Sequence, residues 1–354
     1  MTNKTFDIII IGGGQAGLSP AYFLRRTGLR FVILDDSDKP GGSWTRTWDS
    51  LRLFSPVDYS SIAGWQMPQG EDEYPHKDEF ISYLAAYETR YDLPIERPVR
   101  VRQVSKTDDG LAVQTDKGTY SARVVVSATG TAQSPFLPDY DGRNTFEGVQ
   151  IHSADYRNPT PFAGRRVAIV GAGNSAAQIL AEVSQTADTL WITPEEPRFN
   201  PDDVDGRHIF GVATQRFTQT QSGDKPTVDT SRFSLGSIVM VESVRDARAR
   251  GDVLHAVRPF TRLTASGGVW PDDSTRDFDA IIWCTGFQPN LAHLQPMLPV
   301  QDGKARTDGG PRALDVAGLW LVGYGGWTGY ASATTYGVTK TARQAVREIT
   351  EYLT

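Results

Sequence analysis

Two glycine-rich turns of one design, Gly12-Gly13-Gly14-Gln15-Ala16-Gly17 and Gly171-Ala172-Gly173-Asn174-Ser175-Ala176, lie 159 residues apart in a chain of 354. Each stands directly behind an apolar run: Phe6-Asp7-Ile8-Ile9-Ile10-Ile11 before the first, Arg166-Val167-Ala168-Ile169-Val170 before the second. Both runs are rich in β-branched residues, bounded by glycine and too short for a typical helix, so each reads as a buried parallel strand. A helical pattern begins behind each turn, with Ala21, Phe23, Leu24 and Gly28 after the first and Ala176, Ala177, Ile179, Leu180 and Val183 after the second. Strand, glycine turn and helix in that order form a dinucleotide cradle. The glycines let the backbone turn tightly and approach a pyrophosphate, while the free N–H groups and dipole of the helix face its negative charge. One such turn also occurs in ordinary loops; two in one chain predict two dinucleotide sites. A further strand, Phe31-Val32-Ile33-Leu34, ends in Asp35, 23 residues after Gly12, where a carboxylate can accept a hydrogen bond from an adenosine ribose.

The length allows two domains, each with its own core. A net charge of −6 and a pI near 5.5 give no electrostatic reason to expect nucleic acid or an anionic membrane as partner. No apolar stretch reaches the ~18 residues that cross a bilayer, and Ile8 to Ile11 lacks the length and basic flank of a signal peptide. A cytoplasmic location is the expectation. The single cysteine, Cys284, excludes an internal disulfide, a Cys-x-x-Cys redox pair and a thiolate zinc site, so redox chemistry must be carried by a bound cofactor. The five histidines show no ligand spacing, and Asp202, Asp203 and Asp205 lack the later ligands of an EF-hand; no metal site is predicted.

Residues 1–157 open with the first unit and pass through an aromatic, polar loop from Trp44 to Pro75. A helix is predicted over Lys77–Arg90, with Phe80, Ile81, Leu84 and Tyr87 on one face. Strands over Pro98–Val104, Leu111–Thr115 and Thr119–Val126 come next, the last leading to Ala128-Thr129-Gly130 at the ligand edge. The Pro-rich segment Asn158–Ala163 reads as a linker. Residues 158–275 form the second unit, with a strand at Leu190–Thr193, an irregular stretch from Pro194 to Gly251, a helix near Ile238–Arg250, and a strand pair near Val257–Leu263 and Gly268–Trp270. The run Asp279–Phe287 ends in Cys284-Thr285-Gly286, much as the earlier strand ends in Ala-Thr-Gly, so the chain is expected to re-enter the first domain there. Residues 276–354 would complete that domain with a strand at Leu319–Gly323 and a helix over Ala331–Tyr352. The predicted fold class is α/β: two Rossmann-like dinucleotide-binding domains, the second inserted in the first.

Between the two units, Phe146-Glu147-Gly148-Val149-Gln150-Ile151-His152-Ser153-Ala154-Asp155-Tyr156 has the spacing F-x-G-x-x-x-H-x-x-x-Y. Together with Gly41-Gly42-Ser43-Trp44, Asn174-Ser175 and Cys284-Thr285-Gly286-Phe287, it resembles the flavin-containing monooxygenases over essentially the whole chain. It is similar to their short bacterial members, including those found beside arsenic-resistance genes, which share Ser50-Leu51-Arg52-Leu53-Phe54-Ser55-Pro56. The resemblance implies FAD at the first site and NADPH or NADH at the second. It implies a cycle in which hydride passes to FAD, O2 forms a flavin C4a-hydroperoxide, and a soft nucleophile such as a sulfide, an amine or an arsenical takes one oxygen atom. A homodimer is expected on the same ground. An FAD-dependent NAD(P)H reductase or oxidase that oxygenates nothing stays open beside this reading.

The resemblance also implies residue roles. Gly12, Gly14 and Gly17, with Gln15 and Ala16 between them, would cradle the FAD pyrophosphate, and Asp35 would hold its ribose. Gly42, Ser43 and Trp44 would lie along the flavin, with Ala128, Thr129 and Gly130 also at the cofactor. Gly171, Gly173, Asn174, Ser175 and Ala176 would bind the second pyrophosphate, and Thr193, Thr285 and Gly286 complete the cofactor set. Asn174 is the candidate contact to the oxygen intermediate, Ser55 occupies the place of the family's active-site asparagine, and His152 is assigned to domain coupling and nicotinamide positioning, not to proton transfer. Separately, Gly325-Gly326-Trp327-Thr328-Gly329 ahead of the last helix is expected to bring N–H groups and a positive helix end, with Trp327, to the flavin N1–C2 carbonyl.

Two departures matter. NADPH-specific members carry a basic residue just past the second strand of the nicotinamide domain, whereas this chain has Thr193-Pro194-Glu195-Glu196, with Arg198 several residues on. Weak discrimination between NADH and NADPH is expected. The chain also lacks the Tyr-Pro-Gly motif and fingerprint tryptophan of Baeyer-Villiger enzymes, so ketone oxygenation is expected only as a side activity.

Overall fold

The structure is a computed structural model that describes residues 4–211 and 236–354. Of the irregular stretch Pro194–Gly251, residues 212–235 lie outside the described part. Strands are numbered along the chain. The first sheet holds β1 (Lys4–Ile11), β2 (Phe31–Leu34), β3 (Ile95–Glu96), β4 (Val101–Thr107), β5 (Gly110–Thr115) and β6 (Gly118–Ser127) in the order β3-β2-β1-β6-β5-β4, with β15 (Leu319–Leu321) also on β6. From β3 to β6 the strands are parallel, while β4, β5 and β6 form an antiparallel meander. Isoleucines at every position from Ile8 to Ile11 are explained by burial on both faces. Ile8 and Ile10 pack with Leu18 and Leu24 of α1 (Gln15–Leu24), whereas Ile9 and Ile11 pack with Val104 and Val113 of the meander.

The second sheet is wholly parallel. It holds β7 (Val149–His152), β8 (Arg166–Val170), β9 (Asp188–Ile192), β10 (Ala256–Val257) and β14 (Ala280–Trp283) in the order β10-β9-β8-β14-β7. A small antiparallel sheet of β11 (Arg262–Leu263), β12 (Gly267–Val269) and β13 (Thr275–Asp277) sits beside it. The remaining helices named here are α2 (Val57–Ser60), α3 (Lys77–Arg90), α4 (Asn174–Val183), α5 (Glu242–Ala249) and α6 (Thr335–Leu353).

Two expectations need correction. The run Asp279–Phe287 does not re-enter the first sheet; β14 lies between β8 and β7 of the second, with Ala280 opposite both Val167 and Val149. The predicted strand Val257–Leu263 is split, since Val257 belongs to the parallel sheet and Arg262 to the antiparallel one. The physical reason for the first difference is a duplication. Each strand that precedes a glycine turn has a parallel neighbour whose end closes on that turn, β6 beside β1 and β14 beside β8. Gly12 has φ +106°, and a Cβ there would stand 2.5 Å from the Ala128 carbonyl oxygen. Gly171 has φ +140°, and a Cβ there would stand 2.2 Å from the carbonyl oxygen of Cys284. Ala-Thr-Gly and Cys-Thr-Gly resemble each other because they do the same job in two different sheets.

Candidate active site

The two glycine-turn helices start without a side-chain cap, and neither carries an acidic residue in its first turn. By contrast α3 closes its own N-terminus with a capping box of His76 and Glu79, and Thr334 caps α6 by accepting the Gly337 N–H. The free N–H groups of α1 and α4 are therefore left for a ligand.

α1 opens onto a cavity of about 690 Å³. Gly12, Gly14, Gln15, Ala16, Asp35, Gly42, Ser43, Ala128, Thr129 and Gly130 all line it, so most of the residues expected at the first site come together. The cradle fits a pyrophosphate: a Cβ at Gly14 would meet only the Gly42 Cα, 3.6 Å away, and so would fill space left for a ligand. Gly17 plays a different part, since a Cβ there would stand 1.9 Å from the Gly12 carbonyl oxygen; it allows helix and strand to close up. Asp35 is buried and accepts from Arg97 Nε at 2.8 Å, and the same guanidinium donates to Glu88 on α3 at 2.8 and 3.0 Å. Arg97 was invisible to sequence reasoning, 62 positions from its partner. A buried network was also missed. Tyr324 Oη lies 2.6 Å from Ser127 Oγ and 2.7 Å from Thr129 Oγ1, and Ser127 Oγ lies 3.0 Å from His293 Nε2 at the cavity wall. Burial pushes the His293 imidazole down to about 4, so it is neutral at pH 7.

α4 opens onto a second cavity of about 480 Å³, which shares Gln15, Ser43 and Arg46 with the first. Trp44, Ser55, Asn174 and Ser175 line it, joined by Phe54, Phe210 and Phe287. Trp44 Nε1 donates to Gln15 Oε1 at 3.0 Å, which fixes the indole between the cavities. Asn174 Oδ1 accepts from the Val239 N–H at 2.8 Å, leaving the side-chain NH2 as the donor at the wall. Ser60 donates to the Ser55 carbonyl, so the Ser55 hydroxyl is turned onto Ser60 Oγ, 2.9 Å away. Among the described residues the walls carry no carboxylate, imidazole or thiol.

The rest of the expected set lies apart from these walls. His152 is buried on β7; its Nε2–H donates to the Gly286 carbonyl at 3.0 Å and its Nδ1 accepts from the Ala154 N–H at 3.1 Å. Both ring nitrogens are thus engaged along one edge of the second sheet, and burial lowers the imidazole pKa below its ordinary value. Its ring stands edge-on to Phe287, a wall of the second cavity. The other fingerprint residues are scaffold: Phe146 packs on Phe278, and Tyr156 donates to Glu182 of α4 at 2.8 Å. Gly171, Gly173, Ala176, Thr193, Thr285 and Gly286 cluster at the ends of β8, β9 and β14 but line neither cavity. Thr193 and Thr285 donate to the carbonyls of Glu195 and Phe136. Trp327 packs on Tyr324, ring centres 5.8 Å apart, and lines neither cavity. Thr328 and Ser332 satisfy Gly325 and close that loop, so the residues that reach the site are Gly323, Ala333, Thr334 and Thr335.

A mixed and a parallel sheet, each with a parallel strand leading through a glycine turn into an uncapped helix, and two adjoining cavities, define a flavoprotein oxidoreductase with two dinucleotide sites. Residues 9–234 match the family described as pyridine nucleotide-disulphide oxidoreductase. The chain belongs to that family, and within it to the flavin-containing monooxygenases. The flavin-containing monooxygenase from Stenotrophomonas maltophilia is 50% identical, superposes with a TM-score of 0.90, and is matched over 99% of this chain and 100% of its own. The uncharacterized oxidoreductase CzcO of Bacillus subtilis (strain 168) is 28% identical over 97% of this chain and 99% of its own. The probable indole-3-pyruvate monooxygenase YUCCA1 of Arabidopsis thaliana is 26% identical over 96% of this chain and 87% of its own. Membership of these families makes a flavin and a pyridine nucleotide the cofactors. Among the described residues no helix is long and apolar enough to cross a membrane.

Proposed function

We propose that this enzyme transfers one atom of O2 to a soft nucleophile, a sulfide or amine, with arsenicals of the same chemical character, using FAD and either NADH or NADPH. The observation that carries the reading is the composition of the second cavity. Its described walls hold apolar and aromatic side chains with amide and hydroxyl groups and the guanidinium groups of Arg46 and Arg52, and no carboxylate, imidazole or thiol to act as general acid, general base or activated nucleophile. Such walls suit a reaction whose electrophile arises on the cofactor. FAD, when bound, supplies hydride acceptance and oxygen activation. The chain's part is to bind, orient and keep dry. The free N–H groups of α1 would hold the FAD pyrophosphate, Asp35 would accept from its ribose, and the Asn174 NH2 would donate a hydrogen bond where oxygen is activated. Trp44, Phe54, Phe210 and Phe287 would exclude water. The nicotinamide dinucleotide would lie against α4 and the second sheet, with His152 shaping that edge by its position and not by moving a proton.

Exposed Glu195 and Glu196 after β9 support acceptance of NADH, because carboxylates repel a ribose 2′-phosphate. The kcat/KM values for the two donors are expected within about 100-fold, or ~2.7 kcal/mol. The test is a product screen over small sulfides, amines, arsenicals and ketones with each donor. Sulfoxide or N-oxide formation is expected. Oxidation of the nicotinamide with no oxygenated product from any of them would favour the reductase or oxidase reading, and an exclusive yield of esters from ketones would overturn the substrate class.

A further inference from the structure

The chain has no cation just past β9, yet the sheet brings one there from a neighbouring strand. β10 lies parallel to β9 with Ala256 opposite Trp191 and Val257 opposite Ile192. The Thr193 N–H donates to the Val257 carbonyl at 3.0 Å, so Arg258 leaves β10 level with Thr193, at the sheet edge where an adenosine ribose is read. The Arg258 Nη1 donates to the carbonyl of Pro194, and Trp270 Nε1 donates to the Arg258 carbonyl at 2.6 Å, which fixes the backbone. Arg258 is exposed and pairs with no carboxylate among the described residues, so most of its donor fork is open. Thr193 spends its hydroxyl on the Glu195 carbonyl at 2.6 Å and has none to give a phosphate.

We propose that Arg258 is the residue that admits NADPH: its guanidinium, held across the β9 end by Pro194, pairs with the ribose 2′-phosphate and offsets the repulsion of Glu195 and Glu196. A planar fork suits a phosphate in two contacts, and its charge costs NADH nothing. This rests on the reading of the second sheet as the nicotinamide site. It locates the specificity of that site on a strand 66 residues after the conventional position is passed, since Ile192 closes β9 and Arg258 comes directly after β10.

The test uses the FAD-loaded enzyme and the variants Arg258→Gln and Arg258→Lys, with steady-state kinetics on both donors and direct binding of 2′,5′-ADP and 5′-ADP. The expected result for Arg258→Gln is a KM for NADPH raised about tenfold or more at unchanged kcat, with the KM for NADH unchanged. Binding of 2′,5′-ADP should weaken by the same factor and that of 5′-ADP should not. Arg258→Lys should fall between. An unchanged NADPH-to-NADH ratio and unchanged 2′,5′-ADP binding in Arg258→Gln would overturn the assignment while leaving the two-site reading intact. Equal weakening for both donors would also overturn it, as the mark of a structural role. Failure of the unaltered enzyme to bind either ADP would remove the underlying reading, and the assignment with it.

Discussion

Asn174 Oδ1 accepts the backbone N–H of Val239 at 2.8 Å, which pins the first residue of α4 to the segment ahead of α5 and fixes the direction of its amide. Asn174→Asp retains an acceptor for Val239 but has no NH2 to donate. If that donor steadies activated oxygen, product formed per nicotinamide oxidised should fall at least ~10-fold, the scale of a lost preorganised donor. Nicotinamide oxidation itself should continue, with hydrogen peroxide making up the difference. Measuring both products in the same assay checks this, and an unchanged yield would remove Asn174 from the site.

The second glycine turn separates a folding role from a binding role. At Gly171 a side chain would meet the Cys284 carbonyl at 2.2 Å with φ at +140°, whereas nothing lies within 4 Å of a Cβ at Gly173. Gly171→Ala should lower stability by about 2 kcal/mol or more through backbone strain and the clash, read as a drop in Tm. Gly173→Ala should fold normally and lose affinity for nicotinamide dinucleotides, because its methyl group occupies the approach to the pyrophosphate. Titration of the two variants with NADP+ tells them apart.

Sequence made the local features legible. The strand Phe31–Leu34, the helix Lys77–Arg90 and the strand Arg166–Val170 carry their limits in their own residues, and both glycine turns announce the helices behind them. Sheet membership is not local. Ala128-Thr129-Gly130 and Cys284-Thr285-Gly286 read alike, and only the pairing of Ala280 with Val167 assigns the second to its sheet. Arg97 meets Asp35 through a fold-dependent contact with no spacing rule behind it. The loop after Gly325 closes on its own Thr328 and Ser332, so the helix start that reaches the cavities comes only at Thr335, a boundary set by side-chain bonds that no local pattern announces.

Buried Asp35 pairs with half-buried Arg97, whose guanidinium is also held by Glu88. Arg97→Gln should leave two carboxylates without their cation, costing about 3 kcal/mol in stability. With Asp35 no longer held in place, the dissociation constant for FAD should rise at least ~10-fold, since a hydrogen bond to a charged group is worth about 1.5–3 kcal/mol. Fluorescence of released flavin reads the second quantity independently of activity. Retention of full flavin affinity would show that Asp35 needs no such support.

His293 sets a pH dependence. Burial holds its pKa at about 4, below the ordinary 6.5, so between these values the unfolded chain binds a proton that the folded chain refuses. Stability therefore rises with pH across this window and is lost as pH falls through it, by up to ~3 kcal/mol. His293→Gln keeps a partner for Ser127 and should flatten the slope of unfolding free energy against pH between 4 and 6.5 by about one proton. An unaltered slope in denaturant titrations would mean that another group titrates there.

The most direct test tracks the oxygen atoms. With FAD-loaded enzyme, NADPH, a small aryl alkyl sulfide and labelled dioxygen, the sulfoxide should carry one atom of the label for each nicotinamide oxidised, and label should be absent when only water is enriched. Unlabelled sulfoxide, or complete conversion of the dioxygen to hydrogen peroxide with the sulfide untouched, would contradict the account.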